Sequence, residues 1–222
     1  MRKGTLMRAR LACVGLLTVV ALTSCGEPAP VDMSLLTGEP CAPPCWQGLT
    51  PGVSTQEEVL DYIAESNYVG HHYREAHIAG TTFSWQSIHG GRSPVTSNFF
   101  ATRYGTLSVM MIYLDYEVAL EDLLAKYGPP EKVRAEWSGG GSAVALVNLY
   151  YPTQGFMLQL EVIPSDGYHE VLPQTKVARV WYFQPASLGA LPKLRFFIPF
   201  PAREYMDTEL EDWDGYGRIR VS

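Results

Sequence analysis

What this chain has little of narrows its chemistry first. Four cysteines, five histidines and 18% charged residues in a length of 222 leave few ligands and few nucleophiles. There is no G-x-S-x-G elbow, no P-loop, no G-x-G-x-x-G after a strand-like run and no H-E-x-x-H, so the common hydrolase, nucleotide-binding and zinc-peptidase signatures are missing. Positive charge is also short, with 17 Lys and Arg against 23 Asp and Glu. An acidic chain offers no counter-charge to phosphate, which argues against nucleic acid and an anionic membrane surface as electrostatic partners. Past Leu22 no apolar run approaches the ~20 residues a bilayer span takes.

The N-terminus differs from the rest. Arg2, Lys3, Arg8 and Arg10 form a positive leader with no acidic residue, and Leu11 to Leu22 is apolar but for Thr18 and small breaks. These are the basic and apolar regions of a secretory signal, too short for a comfortable anchor helix. The run closes on Leu22-Thr23-Ser24-Cys25, which has the form of a lipobox. Residues 1–24 are therefore expected to be a lipoprotein signal peptide, with Cys25 the lipidated first residue of a mature protein held on a membrane, in the cell envelope outside the cytoplasm. On the competing reading Cys25 is an ordinary thiol just past a signal cut after Ala21 or Ser24. Without the signal, 198 residues remain with 13 basic and 23 acidic side chains, a net charge of −10. That length suits one large domain or two small ones and is too short for a two-lobed solute-binding lipoprotein.

Cys13 lies in the signal, so Cys41 and Cys45 stand alone in Cys41-Ala42-Pro43-Pro44-Cys45-Trp46. Two lone cysteines outside the cell are expected to pair as a structural disulfide. A free dithiol and a copper site are the alternatives; copper would need imidazole close by, and His71 and His72 are some twenty-five residues away. Residues 25–45 read as a lipidated tether carrying this pair, because Pro28, Pro30 and Pro40 favour an extended chain around the short Met33 to Leu36 apolar patch.

Folded structure begins at Trp46. Ser54 with Glu57 reads as a capping box, and Val59, Leu60 and Ile63 make an apolar stripe on a helix over about 55–66. Runs rich in β-branched and aromatic residues follow at Thr81 to Ile88, Ser97 to Tyr104 and Thr106 to Tyr116, the pattern of an antiparallel meander. The pattern then restarts. Leu120, Leu123, Leu124 and Tyr127 lie on one helical face that ends at Gly128-Pro129-Pro130, and strand-like runs cover Ala143 to Tyr151, Gly155 to Ile163 and Lys176 to Phe183, with Lys132 to Trp137 a fourth candidate. An offset of 64 residues lays Glu57-Glu58-Val59-Leu60 over Glu121-Asp122-Leu123-Leu124. The expected fold is α+β, with two tandem units (46–116 and 117–185), each a helix followed by an antiparallel β-meander, and a docked C-terminal extension over 186–222. In that extension Leu194 to Phe200 is too apolar to leave in water, while the carboxylate-rich stretch Glu204 to Asp214 is expected to be solvated, ahead of a last anchor at Trp213, Tyr216 and Ile219.

The run Leu49-Thr50-Pro51-Gly52-Val53-Ser54-Thr55-Gln56-Glu57-Glu58-Val59 resembles the start, and Leu124-Ala125-Lys126-Tyr127-Gly128-Pro129-Pro130 the end, of the helical segment in SmpA/OmlA-type outer-membrane assembly lipoproteins. The duplicated helix-plus-sheet unit is similar to the β-lactamase-inhibitor-protein fold, and the Cys41-Ala42-Pro43-Pro44-Cys45-Trp46 region with the tail resembles uncharacterised bacterial lipoproteins. These resemblances imply protein binding rather than catalysis. Ser66-Asn67-Tyr68 stands where the first unit would carry the glycine-proline exit, and the second unit lacks the proline-glycine approach.

Chemistry-bearing clusters are few. Gly139-Gly140-Gly141-Ser142 lies between strand-like runs and reads as a hairpin turn, and His71, His72 and His77 read as a solvated connection rather than a metal set. No cofactor and no metal are expected. The strands are apolar on both faces: Leu107, Val109, Met111 and Tyr113 oppose Met110, Ile112 and Leu114, and Val180 and Tyr182 oppose Trp181 and Phe183. One face serves the helices; the other is either buried by the second unit or the C-terminal segment, or is a binding surface for which Trp85, Met111, Tyr113 and Trp181 are the candidates. The functional expectation is a lipid-anchored binding or envelope-assembly module with an unidentified protein partner and no catalysis, the alternative being a small secreted hydrolase with an acidic site.

Overall fold

The computed structural model describes residues 31–77, 80–87, 97–138, 143–164, 169–185 and 210–221. Helix α1 (Ser34–Thr37) precedes α2 (Gln56–Glu65), which leads into strands β1 (Val69–His77), β2 (Gly80–Ser87), β3 (Ser97–Arg103) and β4 (Thr106–Tyr113). Helix α3 (Leu120–Tyr127) then leads into β5 (Lys132–Trp137), β6 (Ala145–Tyr151), β7 (Phe156–Val162), the two-residue β8 (Glu170–Val171) and β9 (Val177–Phe183), with β10 (Gly217–Arg218) near the end. Eight strands make one antiparallel sheet in the order β1-β2-β3-β4-β9-β7-β6-β5. It is a mixed fold with an open sheet, not a closed barrel: β1 and β5 are its two ends. Among the described residues no helix is long and apolar enough to cross a membrane.

Helix α2 begins one residue later than the sequence suggests. Thr55 has the extended backbone of an N-cap and accepts from Glu58 N at 3.2 Å, while the Glu58 carboxylate accepts from Thr55 N at 2.7 Å. Ser54 is instead buried and accepts from Thr50 N at 3.0 Å, tightening the turn before the helix. Such a cap is worth ~1 kcal/mol. The helix buries Val59 and Ile63 against an aromatic group in which Trp85 and Phe100 rings lie 4.3 Å apart and Trp46 meets Tyr62 edge-on at 5.4 Å. Helix α3 does the same over the other half, with Leu120 and Leu123 fully buried and Tyr127 edge-on to Phe156 at 5.0 Å.

Two stretches correct the sequence reading. The tether is packed from Asp32 onward: its carboxylate accepts from Ser34 N, Gln47 Nε2 and Trp46 Nε1, and Leu35 is 1% exposed. Lys126 Nζ donates to the carbonyls of Leu35 and Leu36 at 3.1 and 2.7 Å, and Tyr127 Oη donates to Leu35 O at 2.7 Å. The Met33 to Leu36 patch thus docks α1 on the end of α3, despite its proline-rich flanks. The stretch around His71 and His72 is strand β1, paired with β2 from Val69 to His77, and not a connection. The imidazoles of His71, His72 and His77, the loop 139–142 and the apolar run Leu194 to Phe200 lie outside the described residues.

The C-terminal residues return to the sheet. Glu211 exchanges both backbone hydrogen bonds with Val133 of the edge strand β5, at 2.9 and 3.0 Å, so its backbone is structural although its side chain is exposed. β10 pairs with β8, Ile219 N donates to His169 O, and Trp213, Ile219 and Val221 pack on the helix-side core.

A candidate binding face

The helix-side face and its opposite are set by strand alternation, with one exception that decides where Leu107 goes. On β4 the register to β3 slips between Ala101 and Thr102, which pair with Val109 and Leu107, leaving Ser108 as the extra residue of a bulge. A bulge resets alternation. Leu107 therefore joins Met110 and Ile112 in the helix-side core, and not Val109, Met111 and Tyr113 as strict alternation suggests.

The four candidate residues do not share a face. Trp85, 1% exposed, lies in the core under α2 beside Phe100. Met111 and Trp181 face the other way, directly opposite one another on β4 and β9, and each is 7% exposed; Tyr113, half-buried, is two residues further along β4. Val109, Met157 and Phe183 complete this second apolar cluster, and Leu210 packs against it. The face is buried rather than open, which agrees with the covered alternative weighed above. Leu210 is the residue of the described C-terminal stretch that reaches it.

Beside the apolar cluster runs a polar row that the sequence reading did not single out. Across five adjacent strands, Tyr113, Arg179, Gln159, Asn148 and Arg134 stand directly opposite one another in turn. Asn148 Nδ2 donates to Glu136 Oε1 at 3.2 Å and Asn148 Oδ1 accepts from Gln159 Nε2 at 2.6 Å. Arg134 Nε stands 3.7 Å from Glu136 Oε2, the Arg179 guanidinium pairs with Glu161, and it also lies 4.5 Å from the Tyr113 ring centroid. Burial is the main cause that raises the Tyr113 phenol above its ordinary value; Arg179 opposes the shift and Glu161 adds to it. Gln159 Oε1 and Arg179 Nε are buried and find no hydrogen-bond partner among the described residues. Buried polar groups of this kind are costly unless paired, so the row specifies whatever lies against it. Its signal in the sequence was the polar residue that interrupts each apolar strand: Asn148 in Ala145–Tyr151, Gln159 with Glu161 in Phe156–Val162, and Arg179 in Val177–Phe183.

This face holds no nucleophile-base pair among its described residues. Glu136 and Glu161, the two carboxylates on it, are separated by Leu146 and each has an arginine partner. A cavity of 550 Å³ opens at the ends of β4, β7 and β9, lined by Asp115, Glu117, Glu161 and Lys176 among others and by no histidine among the described residues. Two of those carboxylates are engaged, Glu117 by Lys176 and Glu161 by Arg179. Among the described residues no group of three His, Cys, Asp or Glu side chains is placed to hold a metal, and Cys41 and Cys45 are joined in a disulfide with Cα atoms 5.6 Å apart. No family model matches the chain, and neither does any curated protein or solved structure. What the face carries is a buried cluster of aromatic and methionine side chains beside a hydrogen-bonding row.

Proposed function

We propose that this chain is a lipid-anchored extracytoplasmic protein acting as a binding or envelope-assembly module. The observation that carries the reading is Leu22-Thr23-Ser24-Cys25 at the close of a basic and then apolar leader. Cys25 carries the lipid, the signal is removed, and the acidic mature protein works on a membrane without needing the charge of its surface. The folded part is two tandem units, each a helix followed by a meander, with the C-terminal extension docked on the second. Support comes from the offset of 64 residues, which carries the start of α2 onto the start of α3, and from the sheet order, in which the two sets of strands run outward from a β4–β9 junction. Binding is favoured over hydrolysis because the described carboxylates of the second face are paired with arginine and, among the described residues, no histidine joins them.

The test is Cys25→Ser. In wild-type protein, mass spectrometry of the mature N-terminus is expected to find diacylglyceryl on Cys25 and detergent partitioning to find the protein in the detergent phase. The variant is expected to lose both. Unchanged partitioning in Cys25→Ser refutes the anchor.

A further inference from the structure

The tip of the β3–β4 hairpin does something its own stability does not ask for. The two-residue turn Tyr104-Gly105 has φ of +51° and +80°, the left-handed pair that a tight hairpin needs and that Asn-Gly or Gly-Gly fills without strain. Tyrosine at the first position is costly, since a bulky residue at positive φ is an outlier. The side chain recovers little of that cost by packing, because Tyr104 is 78% exposed. The chain has a second residue of this kind for comparison. Gln47, also at φ +51° ahead of Gly48, uses its strained position to donate to Asp32 Oδ1 at 3.0 Å, within the hydrogen-bonded group that holds Trp46. Among the described residues Tyr104 has the Arg103 guanidinium, 5.0 Å from its ring centroid.

Beside that ring lies a cavity of 360 Å³, within the size range of small-ligand sites. Arg103, Thr106, Leu107, Ser108, Gln184 and Gly52 line it together with Tyr104, and no carboxylate does among the described residues. The bulge that displaced Leu107 is what places Ser108 here, and its hydroxyl already donates to Ala101 O at 2.7 Å, which leaves the oxygen as an acceptor. Gly52 keeps the floor close: a Cβ there would stand 2.9 Å from the Gln184 amide carbon. The lining therefore combines an exposed ring face, a guanidinium, an amide and two hydroxyls. A metal would need carboxylate, imidazole or thiolate ligands, and a polyphosphate would need more than one cation. A lipid chain would need a deeper apolar slot. A pyranose ring matches: its C–H face stacks on an aromatic ring while its hydroxyls exchange hydrogen bonds with Arg, Gln, Ser and Thr.

We propose that the Tyr104 hairpin tip and the cavity beside it form a saccharide-binding site, with Tyr104 as the stacking platform and Arg103, Ser108 and Gln184 as hydroxyl partners. The site is independent of the lipid anchor and of the second sheet face. The experiment titrates full-length, detergent-solubilised protein with N-acetylglucosamine trimer and, separately, with maltotriose, by calorimetry and by NMR of the tyrosine ring protons. Saturable binding of at least one sugar with a shift of the Tyr104 ring is expected. Tyr104→Asn is expected to weaken that binding by severalfold to about tenfold, the scale of one lost stacking contact, while the thermal midpoint stays or rises because asparagine suits the turn. Gln184→Ala, which leaves the turn untouched, is expected to weaken it severalfold. Absence of saturable binding of both sugars, wild-type affinity in Tyr104→Asn, or a clear fall in its thermal midpoint would each overturn the proposal, the last by showing that the tyrosine is held for packing.

Discussion

Replacing Asn148 with leucine tests whether the polar row on the second face is a connected structure. The substitution keeps the number and branching of the side-chain heavy atoms and adds bulk rather than removing it, so no cavity opens, and the main effect comes from hydrogen bonds. Asn148 is 3% exposed and holds both Glu136 and Gln159, themselves 8% and 5% exposed. Losing the hydrogen bond to the carboxylate, which keeps only Arg134 beside it among the described residues, costs about 1.5 to 3 kcal/mol, and losing the neutral bond from Gln159 adds about 1 kcal/mol, so Asn148→Leu is expected to cost roughly 3 kcal/mol. For a chain of this size that lowers the thermal midpoint by about 6 to 12 °C. Gln159→Leu alone is expected to cost less, because it leaves only the Asn148 oxygen unpaired. In the double variant Asn148→Leu, Gln159→Leu the shared bond is lost once, so the two effects are expected to fall short of additivity by about 1 kcal/mol. Urea unfolding followed by tryptophan fluorescence measures all three. An Asn148→Leu cost below about 0.5 kcal/mol, or strictly additive singles, would show that water already satisfies these groups and that the row is not sealed.

Stability is expected to hold up to about pH 9 and then to fall between pH 10 and 12. Burial pushes Tyr127 up to about 12 and raises Tyr62, Tyr116, Tyr150, Tyr151 and Tyr182 in the same direction, so the folded state keeps protons that the unfolded state releases above 10, and folding weakens as pH rises through that window. Absorbance of phenolate at 295 nm alongside unfolding checks it; tyrosines that all ionise near 10 in folded protein would contradict it. Intact mass of protein prepared without reductant is expected to show Cys41 and Cys45 blocked to alkylation until reduced, with two freely labelled thiols as the refuting result. Gly80→Ala is expected to destabilise the protein by several kcal/mol or prevent folding, because its Cβ would sit 1.8 Å from the carbonyl oxygen of Thr102 across the β2–β3 ladder, and a thermal midpoint near wild type would show that the strands separate cheaply there.

Helices and most strands were legible because their apolar spacing is local. The stripe of Leu120, Leu123, Leu124 and Tyr127 with Gly128 behind it marks α3 to the residue, and the β-branched runs locate β2 through β4 within a few positions. What failed was decided by partners that apolar spacing does not reveal, some of them near in sequence and some distant. β1 is rich in histidine and charge and became a strand because β2 offers it a ladder, and α1 folds where Lys126 and Tyr127 cap its carbonyls. The capping box moved from Ser54 to Thr55 because Ser54 is taken by the turn at Thr50. The faces were legible up to Ser108, where one inserted residue reverses Leu107. The polar row could not be read as a unit, because its members lie on five strands whose order depends on β9 entering between β4 and β7.

That position of β9 governs how the molecule can be made. It is the last strand of the large sheet to leave the ribosome, yet it supplies backbone partners to both β4 and β7. Until residue 177 is available, two half-built sheets coexist in one chain, each ending in an apolar strand with its hydrogen-bonding edge open. Such edges recruit one another, or the same edge of a neighbouring nascent chain, more readily than polar ones do. Closure also requires contacts between segments far apart in sequence, which slows it. Fragments ending before β9 are thus expected to aggregate even though they contain both α2 and α3, and termination before residue 177 is more damaging than the loss of one strand suggests.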